Sequence, residues 1–127
     1  MRYSVSIDVP QLDAGLRFYR DALGLSEVAR PVETYVILKC GDSQIGLIEK
    51  PAGTSPAKGA DDVRRYERHW TPVHVDFHVD DFDGVLARAL HAGAKCEQKF
   101  PGGDHPPIAF CSDPFGNGFC IIGSAKA

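Results

Sequence analysis

The sequence predicts an α+β fold built from two β-α-β-β-β modules within one chain of 127 residues. Two observations carry that prediction. The opening strand and helix recur, altered, seventy residues later: Val5-Ser-Ile-Asp-Val9 is echoed by Val75-Asp-Phe-His-Val79, and at that offset Asp13/Asp83, Leu16/Leu86 and Ala22/Ala92 are also identical. Self-similarity of this kind marks a repeated structural unit. Both strands also alternate apolar with polar residues, so one face packs on a helix while the other points elsewhere. That second face carries Ser4, Ser6 and Asp8 in the first copy and His74, Asp76 and His78 in the second. Two such faces read as opposite walls of one cleft.

The elements follow in order. A first strand over about Arg2 to Asp8 leads to Pro10, which suits a first helical turn because its missing N–H has no partner to lose there. Leu12, Leu16, Tyr19 and Leu23 recur at helical spacing with Phe18 and Ala22 beside them, and Gly24 is placed to stop the helix. A short extended piece around Glu27 to Val32 precedes two strands, Thr34 to Cys40 and Gln44 to Glu49, joined by the Gly41-Asp42-Ser43 turn.

From Pro51 to Thr71 the composition shifts, first to Pro, Gly, Ala and Ser, then to charge. This reads as a linker, giving a single domain over 1–127 with a first module of about 1–50, a linker of about 51–71 and a second module of about 72–124. Asp61, Asp62, Arg64, Arg65, Glu67 and Arg68 alternate in sign, which favours a solvated helical turn over a binding patch. Trp70, the one tryptophan, either lines a ligand cleft or packs in a core or edge.

The second module repeats the plan. A strand from His74 to Val79 runs into Asp80-Asp81, whose carboxylates suit a helix N-terminus. Phe82, Val85, Leu86, Ala89 and Leu90 form the buried stripe, and Gly93 ends it. A strand over Lys95 to Lys99, a Pro- and Gly-rich loop from Pro101 to Pro107, and two last strands, Ile108 to Ser112 and Gly118 to Ile122, complete the module.

Composition narrows the function classes. Apolar residues make up 43%, charged residues 24%, and the net charge is −3 with no block of like charge. The expected partner is a small molecule, not nucleic acid or membrane. Cys40, Cys96, Cys111 and Cys120 contain no C-x-x-C pair, so reduced thiols in a cytoplasmic protein are the expectation. No apolar run approaches membrane-spanning length, and the N-terminus lacks the pattern of a signal peptide.

Leu16-Arg-Phe-Tyr-Arg-Asp-Ala-Leu-Gly-Leu25, Val79-Asp80-Asp81-Phe82, Ala92-Gly93-Ala94 and Asp113-Pro-Phe-Gly-Asn-Gly118 together resemble the vicinal oxygen chelate superfamily. That superfamily includes glyoxalase I, fosfomycin-resistance transferases, extradiol dioxygenases and bleomycin-resistance proteins. The resemblance covers nearly the whole chain. It implies the glyoxalase/bleomycin-resistance/dioxygenase fold, in which the mixed sheets of paired modules curl around one cleft, commonly within a homodimer.

The resemblance also implies where a metal would sit. Metal-using members draw four ligands from four strands, one near the start of each module's first strand and one in each module's last strand. Here those positions fall on Ser4, Gly46 (or, with a three-residue slip, Glu49), His74 and Cys120. Only His74 matches, and serine and glycine supply none of the charge that holds a divalent ion. The loss of the last-strand glutamate also removes the general base of glyoxalase-like lyases. A substitute set can be drawn from His74, Asp76, Cys120 and Glu49, because imidazole, carboxylate and thiolate all bind zinc.

Two functions follow. The first is a small-molecule binding protein of the bleomycin-resistance type, holding an apolar or amphipathic ligand between the modules without the usual metal site and without a predicted cofactor. The second is a glyoxalase-like lyase or isomerase, or a dioxygenase-related enzyme, using His74 and Asp76 as an acid–base pair with or without a divalent metal. Binding ranks slightly ahead. The expected ligand-binding residues are Ser4, Ser6, Gln44, Trp70, His78 and Cys120 beside the His74–Asp76 pair. His78 is expected to stand behind that pair, His105 to lie on a loop at the rim, and His69 and His91 on the surface.

Overall fold

In a computed structural model that describes residues 1–125, the chain forms two compact units, Met1–Tyr66 and from Glu67 onward. No helix among the described residues is long and apolar enough to cross a membrane. The first unit runs β1 (Val5–Val9), α1 (Leu12–Leu16), a π-helical turn (Arg17–Ala22), β2 (Ser26–Val32), β3 (Tyr35–Cys40) and β4 (Ser43–Glu49). Its sheet has the order β1-β4-β3-β2, with β1 parallel to β4 and the other pairs antiparallel.

Alternation decides which face of this sheet is core. Val36, Leu38, Ile45 and Leu47 are buried together with Leu12, Leu16, Phe18 and Tyr19. Fully burying such side chains stabilises by roughly 1.5–3 kcal/mol each. Gly15 lets α1 close on β1, because a Cβ there would meet Val9 Cγ2 at 3.0 Å. The helix starts later than the sequence suggested. Pro10 lies ahead of the cap residue Gln11, whose side chain makes no capping bond. The helix then widens: the Leu23 N–H donates to Phe18 O, five residues back, at 3.0 Å. This π turn lets the adjacent residues Phe18 and Tyr19 both turn inward, edge to face at 4.9 Å.

The second unit repeats the topology with β5 (Val75–His78), α2 (Phe82–His91), β6 (Lys95–Phe100), β7 (Ile108–Ser112) and β8 (Gly118–Ile122), in the order β5-β8-β7-β6. The Asp81 carboxylate caps α2 by accepting from the Gly84 N–H at 3.0 Å. Phe82, Val85, Leu86 and Ala89 are buried against the face of Phe77, Ala109 and Ile121. Leu90, expected in that stripe, is 42% exposed, because it lies in the last turn of the helix.

The charged segment also differs from expectation. No helical turn forms between Asp61 and Arg68. Asp62 does pair with Arg65, but the other arginines leave the local chain. Arg64 binds Asp8 of β1 at 2.8 Å and Arg68 binds Glu97 of β6 through two bonds. Ion pairs with distant strands engage Arg64 and Arg68, and the segment stays irregular where short-range sign alternation suggested a helix. Trp70 is not packed in any core: it is 81% exposed. The four cysteines are free thiols.

Candidate functional site

The second sheet's helix-free face carries the densest chemistry. Register places Asp76 of β5 beside Cys120 of β8, and Cys120 beside Phe110 of β7. Residues partnered in this way share a face. His74, two residues before Asp76, brings its Nε2 to 3.1 Å from the Asp76 carboxylate. Donor atoms of His74, Asp76 and Cys120 all lie within 4.8 Å of one another. The imidazole and carboxylate are close to half exposed, 46% and 43%, whereas Cys120 is 4% exposed. Burial, reinforced by the Asp76 charge and a hydrogen bond to it, pushes the Cys120 thiol up to about 11. Cys120 is therefore a protonated thiol and not a ready nucleophile.

Aromatic surface adjoins this polar group. Phe110 stands next to Cys120 in the same row and packs edge to face with Phe100 of β6 at 5.8 Å, and both rings stay about 40% exposed. Sequence reading missed these two. The signal was present in β7, where Ile108 and Phe110 alternate with the buried Ala109 and Cys111. At the start of β8, the Arg68 guanidinium lies over Gly118, where a Cβ would come 3.0 Å from it. Glu97 raises the pKa of Arg68 through hydrogen bonding, and Arg68 in turn lowers that of Glu97, so both stay charged.

The turn before β8 sets where Cys120 stands. Asp113, 4% exposed, accepts hydrogen bonds from the Phe115 N–H, the Asn117 N–H and the Asn117 side-chain amide at 2.8–3.0 Å. Gly116 takes φ 87°, and a Cβ there would lie 2.6 Å from the carbonyl carbon of Glu67. Only glycine fits this crossing.

The first unit offers no comparable group. Ser4, Ser6 and Gln44 are exposed, with Ser6 paired in register to Gly46. A Cβ on Gly46 would meet the Tyr35 ring at 2.8 Å and Ser6 Oγ at 3.1 Å, so a ligand side chain at that position would first have to displace the Tyr35 ring. Glu49, the other candidate there, spends its carboxylate on the Leu12 N–H at 2.9 Å. The four-strand metal pattern does not fit this chain. His78 is exposed two residues beyond Asp76, and His105 sits on the Pro101–Pro107 loop with a ring nitrogen near Pro106 O. His69 and His91 are exposed, as expected.

The sequence model described as a glyoxalase-like domain matches residues 4–122. The curated protein "Putative glyoxylase CFP32" of Mycobacterium tuberculosis is 31% identical over 116 residues, covering 87% of this chain and 39% of that protein. The chain thus spans about two-fifths of the length of the curated relatives it matches. Among solved structures, lactoylglutathione lyase from Agrobacterium tumefaciens aligns with a TM-score of 0.65 at 20% identity, over 97% of this chain and 92% of that one. A mutant of the fosfomycin resistance protein FosX from Listeria monocytogenes, complexed with Mn(II) and dihydroxypropylphosphonic acid, aligns with a TM-score of 0.72 at 13% identity, over 98% and 90%. At these identities the solved structures show a shared fold and nothing finer.

Proposed function

The chain belongs to the glyoxalase-like domain family, within the vicinal oxygen chelate superfamily, and from that premise we propose that it is a small-molecule binding domain of the bleomycin-resistance type. Its ligand is amphipathic and lies on the helix-free face of the second sheet. The observation that carries this reading is the pairing of a half-exposed imidazole and carboxylate with the exposed Phe110 and Phe100 rings on one face. A polar head hydrogen-bonds to His74 and Asp76 while an apolar body covers the rings, which have water to lose. The absent four-strand ligand set argues against glyoxalase chemistry by the usual route.

One observation favours a second reading, an enzyme in which His74 and Asp76 exchange a proton with a bound substrate: their 3.1 Å contact is the geometry of an imidazole oriented by a carboxylate. Cys120, as a neutral thiol, is not the attacking group in that case.

The test is a thermal-shift screen of aromatic and alkyl carboxylates, alcohols and amines, repeated on Phe110→Ala and Asp76→Asn. A hit whose stabilising effect disappears in both variants supports the reading. Hits that stabilise wild type and both variants equally place the ligand elsewhere and sink it.

A further inference from the structure

We infer that Cys96 and Cys111 form a peroxide-oxidised modification site, closing to a reversible disulfide between β6 and β7. The two strands run antiparallel with Cys96 directly opposite Cys111. Cα atoms of residues so placed stand about 4.5–5.5 Å apart, inside the roughly 4.4–6.8 Å that a disulfide spans. The side chains already meet, because the two thiols are hydrogen-bonded to each other. The inference goes beyond the ligand reading and does not depend on it: alternation along β7 turns Cys111 to the buried face and Phe110 to the other.

Register singles out this pair among the four cysteines. Cys120 stands opposite Asp76 and Phe110, on the face away from Cys111, and Cys40 stands opposite Ser43 in the first sheet. The ladder also has freedom to close the bond. β6 is an edge strand paired with β7, and its register shifts just past Cys96, between it and Gln98. An irregularity of this kind lets a strand bend and re-aim a side chain.

The two thiols differ in a way that orders the chemistry. Cys96 is exposed and meets an oxidant from solvent, whereas Cys111 is 1% exposed and burial pushes its thiol up to about 12. Cys96 therefore reacts first and Cys111 resolves. The Cys96 thiolate sulfur bonds to one oxygen of hydrogen peroxide, the O–O bond breaks, and the departing hydroxide takes a proton to become water. Two electrons pass from sulfur to peroxide, leaving Cys96 as a sulfenic acid. The Cys111 sulfur then bonds to the Cys96 sulfur, the S–O bond breaks, and the hydroxyl leaves as water with the Cys111 proton. One peroxide and two thiols thus give one disulfide and two waters. A dithiol reductant restores both thiols, and closing the bridge spares Cys96 the irreversible sulfinic and sulfonic states.

The experiment treats the full, reduced chain with hydrogen peroxide, unfolds it in excess N-ethylmaleimide, and reads intact mass and non-reduced peptides. Two of the four cysteines should escape alkylation, and one cross-linked peptide should join Cys96 to Cys111 within a single chain. Dithiothreitol should restore all four thiols. Cys96→Ser, at an exposed position where folding is not at stake, should form no bridge at the same dose, while Cys40→Ser should form as much as wild type. Cys111→Ala should leave a Cys96 sulfenic acid that dimedone traps. Should that variant fail to fold, the wild-type peptide map and Cys96→Ser decide. Oxidation of wild-type Cys96 to sulfinic acid without a bridge overturns the inference. So does a bridge through Cys40 or Cys120, a bridge between two chains, or survival of all four thiols.

Discussion

The Glu49 carboxylate, near the end of β4, accepts a hydrogen bond at 2.9 Å from the backbone N–H of Leu12, the first residue of α1. A side chain 37 residues away thereby does the capping that Gln11 does not do. Free N–H groups at a helix start attract a carboxylate by hydrogen bonding and by the helix dipole together. Glu49→Ala should cost about 0.5–2 kcal/mol of stability, the range for losing a cap. Urea denaturation checks this, and a variant of native stability would show that the bond to Leu12 caps nothing.

His74→Ala and Asp76→Asn should change the melting temperature little, because an exposed pair contributes only about 0–1 kcal/mol. Both should weaken binding of a ligand found by the thermal-shift screen. A structural pair would behave oppositely, since stranding one member of a buried hydrogen bond costs about 1–3 kcal/mol. Calorimetry and binding on the same preparations separate the two, and a large stability loss with binding intact would falsify the functional role.

Ordinary glyoxalase I turnover should be absent, and manganese, nickel, cobalt or zinc should not create it. Gly46→Glu should not rescue it either, because the new side chain must displace the Tyr35 ring. Overpacking of this sort typically costs about 1–3 kcal/mol. Robust metal-dependent turnover of the glutathione hemithioacetal of methylglyoxal, in wild type or Gly46→Glu, would contradict the account of the first unit.

Burial pushes the Cys111 thiol from 9.0 up to about 12, with Cys96 beside it adding to the shift. The folded state keeps this proton where the unfolded chain releases it. The associated stability is therefore complete below about pH 9 and falls as pH rises toward 12. Denaturation midpoints measured above pH 9 should decline, and Cys111→Ala should flatten the decline. Equal slopes in the two proteins would assign it to other groups.

A homodimer is expected in solution. Every residue of β2 and of β6, each one of the two edge strands of its sheet, is exposed, including Val28, Val32 and Phe100, and open edges of this kind invite pairing. Light scattering that finds only monomer at high micromolar concentration rules this out.

Much of the fold was legible because it is written in short-range pattern. β7 and β8 fall where alternation and the Asp113–Gly118 turn put them, and the seventy-residue echo exposed the repeat. The π turn was not legible, because one wide turn shifts the apolar stripe by less than a residue and leaves Leu16 and Tyr19 looking helical. Of the site, His74 and Asp76 were visible as alternating residues of one strand. Cys120 was reached by aligning the last turn with the family, whereas its neighbour Phe110 required strand order and register, which no local pattern encodes. The cap from Glu49 and the reach of Arg64 and Arg68 to distant strands were hidden for the same reason, distance along the chain.

The Asp113 turn imposes a rule on how this sequence can diverge. Side chains along β8 alternate between faces, so adding or deleting one residue between Asp113 and Gly118 would send Phe119 outward and Cys120 into the core beneath α2. Substitutions within the turn can be absorbed wherever the three hydrogen bonds to Asp113 survive and Gly116 is kept. Changes of length cannot. Descendants of this chain that keep its function should therefore vary in the letters of that turn while conserving its count, whereas the exposed stretch from Pro51 to Ala60, tied to no strand register, is free to grow or shrink.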